Sequence, residues 1–578
     1  MTNEKIADAF DLIADLLEFQ GANSFRVRAY RNSARTLRDY SGSLAELAQQ
    51  GVAALKEIEG IGDDLAAKII AMVETGKLAM LDELRSQVPE SVLALLRIPG
   101  VGPKKAAALY KELGVKSLEE LKSACEQGKV RELKGFAAKT EQLILQGLTI
   151  AAAGNERMLW YDADKVVQAL LAHMRPCQAI EKLEVAGSYR RGKDSIGDLD
   201  LLVISRDVAG VMDHFAKFPP LQDVIARGDT KMSIRLDSNL QVDLRVVGEE
   251  SFGAALQYFT GSKEHNVKLR SLAKERGLKI NEYGVYRVEA DGSETLVAGS
   301  TEAEVYATVD LPCFPPESRE GRWEYEAARH QPFPALVELA DIVCDLHMHT
   351  TATDGNNSID EMATAARARG MQYIAITDHS QRVSVARGLT PDRVLAEWKK
   401  IDAWNAANDD EFVILKGIEC DILEAGGMDL PDDVLAQGDF IIGSVHFGQK
   451  QSRAEITERI LFALEHPHVH MIAHPTGRLI NRREPYEVDI TAVIAAAKKH
   501  KKLLEINANP QRLDLNEVLA AQAREAGVML SINTDAHHTG GMDVMRCGIL
   551  QARRAGATKA DIANTLPLAK FKKLVLKK

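Results

Sequence analysis

The amino-acid sequence predicts a multidomain α/β protein, with helical domains first, an α+β domain in the middle and strand–helix units last. Three observations predict this fold class. Apolar residues recur at helical spacing in the first part, aspartate-bearing strands follow between residues 185 and 247, and short apolar strands alternate with helical stretches from Val337 onwards. At 578 residues the chain is also too long for one hydrophobic core, which rarely exceeds about 250–300 residues.

The composition is ordinary for a globular protein, at 46% hydrophobic and 27% charged residues. A net charge of −11 excludes a chain that is basic throughout, but a local basic stripe can still bind nucleic acid. The six cysteines form no C-x-x-C pair, which fits a reducing compartment. No apolar run reaches about 18 residues and the first residues lack a signal region, so we expect a cytoplasmic protein without membrane segments.

The first domain, residues 1–85, is predicted to be helical because apolar residues from Ile6 to Leu17 have helical spacing. Five arginines then occur between Arg26 and Arg38, with no acidic residue among them. Such a patch suits DNA phosphates, and Arg26 and Arg31 are candidate contacts. The alternative is a solvated helix face.

Two similar motifs follow, Ile58-Glu-Gly-Ile-Gly62 and Ile98-Pro-Gly-Val-Gly102. Paired glycines allow a tight turn whose N–H groups, at a helix N-terminus, can face a phosphate oxygen without reading the base sequence. Both motifs resemble helix-hairpin-helix elements. Gly60 and Gly62 would thus contact DNA in the first domain, and Gly100 and Gly102 in a second helical domain, residues 86–150.

The stretch from Val185 to Ile204 predicts a strand, a glycine turn and a second strand carrying Asp198 and Asp200. Alternate side chains of a strand share a face, so these carboxylates can hold divalent cations together with Asp243 from a later strand. The alternative is three acidic residues on a solvated face. Candidate triphosphate contacts come from the turn and from the residue before the strand: Gly187, Ser188, Arg191 and Gly197.

These motifs, with Tyr258-Phe-Thr-Gly-Ser262, Asn266 and Arg270, resemble the family X DNA polymerases. The resemblance implies a nucleotidyltransferase palm at residues 151–255 and a nucleotide-binding subdomain at 256–315. It implies that Tyr258 and Phe259, followed by Gly261, exclude ribonucleotides. Asn266 would contact the base edge and Arg270 the template side.

Three positions depart from the pattern of the best-known family members. Lys263 and Gln241 replace an aspartate and an arginine, and Gln241 puts in doubt how Asp243 is oriented. Some members open abasic sugars through a lysine Schiff base, and Lys68 matches that position as a possible lyase nucleophile. Asp64, however, stands where a second phosphate-binding lysine would be expected. A surface role is the alternative for Lys68.

A proline-containing linker is predicted at 316–337, and the last domain, 338–578, holds eleven of the fifteen histidines. Its predicted strands lie near 342–348, 372–377, 412–418, 439–445, 469–473, 502–507 and 528–533. The carboxyl ends of strands in a β/α barrel gather at one mouth. Nine residues of metal-binding type follow the strands: His347, His349, Asp354, His379, Glu419, His446, His474, Asp535 and His537.

Imidazole and carboxylate ligands without thiolate suit Zn²⁺, Mn²⁺ or Fe²⁺, and nine ligands suggest two or three ions. The series resembles the PHP (polymerase and histidinol phosphatase) domain, which implies a distorted seven-stranded barrel. In bacterial and archaeal family X polymerases of this type, that domain is a manganese-dependent 3′→5′ exonuclease that also acts at abasic sites and blocked 3′ ends.

The sequence therefore predicts a repair polymerase that fills short gaps, with Mg²⁺ or Mn²⁺ in the palm and Mn²⁺ or Zn²⁺ in the barrel. We expect it to use gapped or primed DNA and dNTPs, as a monomer. Two alternatives stay open at this point. The barrel could be a small-molecule phosphatase or pyrophosphatase, or the chain could be a non-catalytic scaffold for DNA ends.

Overall fold

The computed structural model divides the chain into two compact units, Met1–Glu156 and Arg157–Lys578. Each unit is described by itself. The structure describes residues 3–40, 44–58, 60–88, 95, 98, 101–137, 140–141, 144–145, 148, 157–289, 291–330, 332–408 and 412–576.

The first unit is helical where it is described, as the apolar periodicity predicts. Its α-helices are α1 (Asn3–Phe19), α2 (Ser24–Asp39), α3 (Leu44–Gln49), α4 (Val52–Leu55), α5 (Asp63–Thr75), α6 (Ala79–Gln87), α7 (Pro103–Leu113) and α8 (Leu118–Glu126). The stripe from Ile6 to Leu17 is buried, so α1 packs through its predicted apolar face.

The described residues of the two glycine motifs make the same turn-type hydrogen bond. The amide of Ile61 donates to the carbonyl of Ile58 at 3.1 Å, and the amide of Val101 donates to that of Ile98 at 3.0 Å. Gly62 and Gly102 then cap the N-termini of α5 and α7. Each turn thus leads into a helix whose first N–H groups have no partner within that helix.

The palm follows in the second unit, around a five-stranded sheet of order β2-β4-β7-β6-β5. The pairing of β4 with β7 is parallel, and the other pairings are antiparallel. Its strands are β1 (Met158–Leu159), β2 (Lys182–Val185), β3 (Ser195–Ile196), β4 (Asp198–Ile204), β5 (Leu221–Arg227), β6 (Lys231–Leu236) and β7 (Gln241–Val247). Its helices are α9 (Trp160–Met174), α10 (Gly187–Arg190) and α11 (Val208–Phe215).

The nucleotide-side subdomain contains a three-stranded antiparallel sheet and a buried polar core. His265 contacts Glu324 at 2.9 Å and the Tyr306 hydroxyl at 2.8 Å. The elements are α12 (Phe252–Thr260), α13 (Lys263–Glu275), β8 (Leu278–Asn281), β9 (Gly284–Val288), β10 (Glu294–Ala298), α14 (Glu302–Ala307) and α15 (Glu324–Ala327).

Much of the predicted linker, 316–337, is packed rather than extended. Arg319 is 1% exposed and donates to the Phe314 carbonyl at 2.7 and 2.9 Å, and Glu324 is fully buried. Proline content suggested a connector, but buried charged residues fix this segment against the subdomain. The sequence does not reveal their partners, which lie up to 59 positions away.

The third part is a seven-stranded parallel sheet whose strands follow in chain order, as predicted. Its strands are β11 (Cys344–Asp345), β12 (Tyr373–Ile376), β13 (Val413–Asp421), β14 (Phe440–Ser444), β15 (Val469–Ile472), β16 (Leu503–Asn507) and β17 (Leu530–Asn533). An isolated parallel bridge between Met348 and Ala536 joins the chain just beyond the first and last strands, so the barrel is nearly closed.

Helices separate most of the barrel strands and bury the outer face of the sheet. They are α16 (Ile359–Ala368), α17 (Pro391–Ala407), α18 (Asp432–Leu435), α19 (Arg453–Glu465), α20 (Ile490–His500), α21 (Glu517–Glu525), α22 (Met545–Arg554) and α23 (Leu568–Leu574). Phe571 of α23 is fully buried beside Tyr373 and Phe440, so the basic C-terminal segment is anchored by one aromatic side chain. Among the helices described, none combines the length and the apolar character needed to cross a membrane.

Candidate active sites

The first candidate site is formed by three aspartates on adjacent parallel strands. Asp200 of β4 lies directly opposite Asp243 of β7, and Asp198 lies opposite Gln241. Asp198 is exposed, Asp200 is half-buried and Asp243 is 9% exposed. The structure therefore brings the three predicted carboxylates side by side.

Their pKa values reflect this crowding. Burial, followed by the charges of Asp198 and Asp243, raises the pKa of Asp200 to about 7. Burial and Asp243 also raise the pKa of Asp198. A divalent cation would relieve the repulsion, and carboxylate oxygens are the ligands that Mg²⁺ and Mn²⁺ prefer. The donor set thus fits the predicted ions.

Side chains from β6 and β7 fix the carboxylate of Asp243. Lys231 donates to its Oδ2 at 2.5 Å, and Gln241 donates to its Oδ1 at 2.9 Å. Burial alone would raise the pKa of Asp243, but these hydrogen bonds, that of Lys231 first, lower it. The glutamine that departs from the family pattern therefore still contacts the carboxylate, with Lys231 supplying the positive charge.

The turn before β4 holds the candidate triphosphate residues. Gly187 has φ +69°, and a β-carbon there would lie 2.5 Å from Asp200 Oδ2, so any side chain would displace that carboxylate. Ser188 follows within α10 and is half-buried, while Gly197 directly precedes Asp198. Arg191 ends the turn, with its Nε 3.0 Å from Glu320 Oε1 and a guanidinium nitrogen donating to the Thr260 carbonyl.

The residues expected near the sugar and base lie on α12 and α13. Tyr258 and Phe259 meet edge to face at 5.2 Å, and Gly261 follows at φ +69°. Asn266 is 7% exposed: its amide oxygen accepts from Gln257 at 2.7 Å and its amide nitrogen donates to the Tyr258 carbonyl at 2.8 Å. Arg270 donates to the Asn266 carbonyl at 3.2 Å. Asn266 therefore holds the aromatic pair in this structure, and its contact with a base stays a prediction.

In the first unit, Gly60 adopts φ +85°, which favours glycine, and it precedes the N-cap Gly62. Gly102 caps α7, whereas Gly100 lies outside the described residues. Arg26 is exposed, but Arg31 contacts Asp15 at 2.7 Å and Glu18 at 2.8 Å. A phosphate contact at Arg31 would thus compete with two carboxylates of α1, which sequence spacing does not show.

Lys68 lies on α5, with 17% of its side chain exposed. Its amine is hydrogen-bonded to the Asp64 carboxylate one helical turn earlier. Asp64, which departs from the family pattern, therefore forms a hydrogen bond with the lysine amine that a Schiff-base reaction would use. The lyase role of Lys68 stays a prediction.

The second candidate site is at the carboxyl ends of the barrel strands, where the structure brings together all nine predicted ligands. Among the described residues, three sets of side chains place one ligand atom each within 4.8 Å of one another. The sets are His349, Asp354, His379 and His537; His347, His349 and Asp535; and His379, Glu419 and His446. His474 joins the third set, with its Nε2 3.0 Å from Glu419 Oε1.

This cluster fits metal ions by its chemistry. Buried polar atoms without hydrogen-bond partners include His347 Nε2, His349 Nδ1 and Asp354 Oδ1. Buried groups of this kind are normally satisfied, so their convergence indicates a ligand that binds them together. Two sets share His349 and two share His379, which suits neighbouring ions with shared ligands.

Electrostatics separate the cluster into charged and neutral groups. Burial, then His379 and His537, lowers the pKa of His349 to about 3. Burial would lower the pKa of His379, but Glu419 and Asp354 outweigh it and raise the pKa to about 10. The pKa of Glu419 lies well below its ordinary range because nearby histidines overcome its burial. The carboxylates are thus ionised, and a neutral imidazole such as that of His349 can ligate a metal.

Two ligand positions have unusual backbone conformations. His474 has φ +30° and Asp535 has φ +54°, in the left-handed region that residues other than glycine rarely adopt. His474 lies two positions after the end of β15, and Asp535 lies two positions after the end of β17. Backbone strain of this kind clusters at functional sites, where the surrounding structure imposes it.

Sequence reasoning missed residues behind and beside the cluster. Glu505 is fully buried and lies 2.8 Å from His347 Nδ1, and Asp421 lies 3.2 Å from His446 Nδ1. Glu505 is a charged residue inside the apolar strand β16, and Asp421 ends β13 two positions after Glu419; these signals could have identified both. Arg512, whose Nε is 3.7 Å from Asp535 Oδ2, adds positive charge beside the cluster.

Comparison with known proteins agrees with this arrangement of sites. Family models match successive segments: a helix-hairpin-helix domain at 1–78, a SAM-like helix-hairpin-helix tandem at 92–149, the DNA polymerase beta palm at 161–256, the DNA polymerase beta thumb at 255–320 and a PHP domain at 345–509. The class of protein is thus a beta-type polymerase joined to a PHP domain.

The chain belongs to the family X DNA polymerases that carry a C-terminal PHP domain. It is 43% identical over 570 residues, or 98% of each chain, to "DNA polymerase/3'-5' exonuclease PolX" of Bacillus subtilis (strain 168). Rat DNA polymerase lambda is 25% identical over 347 residues, covering 55% of this chain and 56% of its own. A "Probable phosphatase" of Thermoanaerobacter sp. (strain X514) is 31% identical over 238 residues, covering 39% of this chain and 91% of its own.

Proposed function

We propose that this chain is a DNA-directed repair polymerase that fills short gaps, and that its barrel is a metal-dependent 3′→5′ exonuclease that processes 3′ ends. The observation that carries the proposal is the presence of both sites in one chain. A carboxylate triad lies on a polymerase-type palm, and a histidine–carboxylate cluster lies in a PHP domain. A relative aligned over 98% of the chain is named for both activities.

In the palm, Asp198 and Asp200 would hold Mg²⁺ or Mn²⁺. When bound, such ions neutralise phosphate charge and lower the pKa of an attacking hydroxyl. Asp243 would take part in activating the primer 3′-hydroxyl, because Lys231 and Gln241 fix its carboxylate in an ionised form. Ser188, the amides of α10 and Arg191 would hold the triphosphate of a dNTP.

Primed or gapped DNA is the partner that the helix-hairpin-helix turns would bind, through amides at the starts of α5 and α7. The Tyr258–Phe259 pair would exclude a ribose 2′-hydroxyl. Arg245 packs over the Phe259 ring at 4.5 Å and the Asn266 amide donates to the Tyr258 carbonyl, so the Phe259 ring and the Tyr258 backbone each have a fixing contact.

In the barrel, the nine clustered ligands would hold two or three Mn²⁺ or Zn²⁺ ions. Such ions generate hydroxide near neutral pH and position a phosphate ester. Glu505 and Asp421 would orient the ligand histidines through their second ring nitrogens. Arg512 would pair with the phosphate charge at the mouth.

A labelled one-nucleotide gapped duplex with a 5′-phosphate tests both activities. We expect extension when dNTPs and Mg²⁺ or Mn²⁺ are present, and 3′ shortening when dNTPs are absent. Asp200→Ala should abolish extension and keep shortening, and His349→Ala should do the reverse. The control is Asp213→Asn, which replaces an exposed aspartate paired with Arg227 at 2.7 Å and should change neither activity. Loss of both activities from either site variant would contradict the two-site proposal.

A second candidate function for the barrel is a small-molecule phosphatase, because a probable phosphatase is 31% identical to this chain over 238 residues, which are 91% of its own length. Hydrolysis of a free phosphomonoester, with no shortening of DNA, would favour it. A non-catalytic scaffold is the least supported alternative, since the carboxylates and histidines are intact at both sites. It would require that metal binding and turnover both be undetectable.

A further inference from the structure

One helix of the barrel joins the neighbourhoods of the two candidate sites. α22 starts at Met545, shortly after the cluster residue His537, and it packs against the palm. Arg546 contacts Asp164 at 2.6 Å. Leu550 packs against the turn from Gly187 to Gly192, which carries candidate triphosphate residues and which we call the phosphate-side turn. A β-carbon on Gly192 would lie 3.0 Å from the Leu550 side chain. The end of this helix thus meets the segment that carries Arg191.

At that end, five charged residues form a network that we call the boundary network. Arg554 contacts Glu320 at 2.7 Å and Glu517 at 2.7 Å, and Arg191 contacts the same Glu320 oxygen at 3.0 Å. Arg554 also donates to the Arg191 carbonyl at 3.0 Å. The boundary network consists of Arg191, Glu320, Arg322, Glu517 and Arg554.

The boundary network is shielded from solvent. Only 1% of the Arg554 side chain, 9% of that of Glu320 and 11% of that of Arg191 is exposed. Burial would raise the pKa of Glu320, but the charges of Arg554 and Arg191 outweigh it and lower the pKa to about 2. Buried charges hold their partners in defined geometry, because leaving one of them unpaired is strongly destabilising.

Arg554 therefore acts on Arg191 in two ways. It fixes the backbone of Arg191 through the carbonyl contact. It also shares the charge of Glu320, so that this carboxylate orients Arg191 without fully neutralising it. Without Arg554, Glu320 would keep Arg191 as its salt-bridge partner, with Lys193 as a further nearby positive charge. A triphosphate would then compete with an undivided carboxylate for the same guanidinium.

We propose that Arg554, a residue of the barrel domain, is a positioning residue for the polymerase reaction and acts through Glu320 on Arg191. The proposal rests on the proposed function, in which Arg191 contacts the triphosphate. It predicts that a residue of the nuclease half sets the affinity of the polymerase half for dNTPs. None of the nine barrel metal ligands belongs to the boundary network.

The test is single-nucleotide insertion into the gapped duplex by the full chain, as a function of dNTP concentration. We expect Arg554→Gln to raise KM for dNTP about tenfold or more, the effect of losing one charge-assisted contact, and to change kcat less. Shortening of 3′ ends should stay unchanged. The matched control is Arg553→Gln, which removes the 2.9 Å contact with Glu317 on the same helix but lies outside the boundary network, and its KM should stay at the wild-type value.

A double-mutant cycle separates positioning from general damage. Once Arg191→Gln has removed the guanidinium, Arg554→Gln should raise KM little further. Equal effects of Arg554→Gln in both backgrounds, an unchanged KM, or the same rise in Arg553→Gln would overturn the proposal.

If Arg554→Gln also abolishes 3′ shortening, the double variant Arg554→Gln with Glu517→Gln is measured. This variant tests the proposal because it leaves no ionised Glu517 without its Arg554 partner in the barrel. A raised KM in the double variant supports the proposal, and an unchanged KM refutes it. Failure of the wild-type chain to extend any primer would instead refute the proposed function.

Discussion

The electrostatic repulsion among the three palm carboxylates can be measured as a change in the free energy of unfolding. Asp200→Asn keeps the shape of the side chain and removes its charge. The rise in the pKa of Asp200 from 3.8 to about 7 corresponds to about 4 kcal/mol, at about 1.4 kcal/mol per pH unit. Asp200 is half-buried, so solvent screening reduces this value, and we expect about 2 kcal/mol.

The sign of the effect follows from proton linkage. Below pH 3.8 Asp200 is protonated in the folded and in the unfolded chain, so its charge costs nothing. As the pH rises towards 7, the unfolded chain releases this proton first, and the folded state loses stability relative to it. In EDTA, Asp200→Asn should therefore exceed the wild type in stability at pH 8.5, and by much less at pH 5.

The assay is calorimetry combined with hydrogen exchange of β4 and β7, since one chain of several domains has no single unfolding transition. At pH 8.5 we expect the transition of the palm to rise by about 4–8 °C in Asp200→Asn. Saturating Mg²⁺ should reverse the order, because the variant lacks one ligand. Asp213→Asn is the control. An equal gain at both pH values, or none at pH 8.5, would refute the reasoning that burial and carboxylate repulsion destabilise the empty palm.

Two further predictions concern residues that hold the reacting groups. Lys231→Gln should move the acid limb of the pH profile of single-turnover extension to higher pH, because Lys231 lowers the pKa of Asp243. The control Lys279→Gln breaks an exposed ion pair with Glu294 and should leave this pH profile unchanged. An unchanged profile in Lys231→Gln would contradict this account of Asp243. Glu505→Gln should raise the Mn²⁺ concentration needed for 3′ shortening about 10–100-fold, since Glu505 orients His347, and should leave extension intact. Equal metal requirements in Glu505→Gln and the wild type would show that this contact does not tune the cluster.

Sequence reasoning succeeded where local periodicity determines position. Alternation along a strand places Asp198 and Asp200 on one face, and their partner Asp243 follows from a second strand of the same kind. Likewise, the strand-end rule brings together His347, Glu419 and their seven companions although they are spread over 191 positions of the chain. Neither argument needs knowledge of how side chains pack.

Sequence reasoning was less successful for residues whose environment depends on tertiary contacts. Arg31 looked like a free cation, but α1 presents Asp15 and Glu18 to it across the helix pair. Similarly, residues 316–337 looked like a connector because prolines mark its start, yet Arg319 is buried, and Glu324 is a buried partner of His265, 59 positions away. Charge and proline content give the local tendency of a segment, and burial depends on what packs against it.

The boundary network also depends on tertiary contacts, and it connects the polymerase half of the chain with the barrel half. Arg554 lies 363 positions from the Arg191 carbonyl that it binds, so no sequence pattern links them. In the fold they are adjacent because α22, which begins soon after the predicted ligand His537, ends against the phosphate-side turn. A linker model predicts that Arg554→Gln leaves the affinity for dNTP unchanged, and the geometry at Arg554 predicts the opposite.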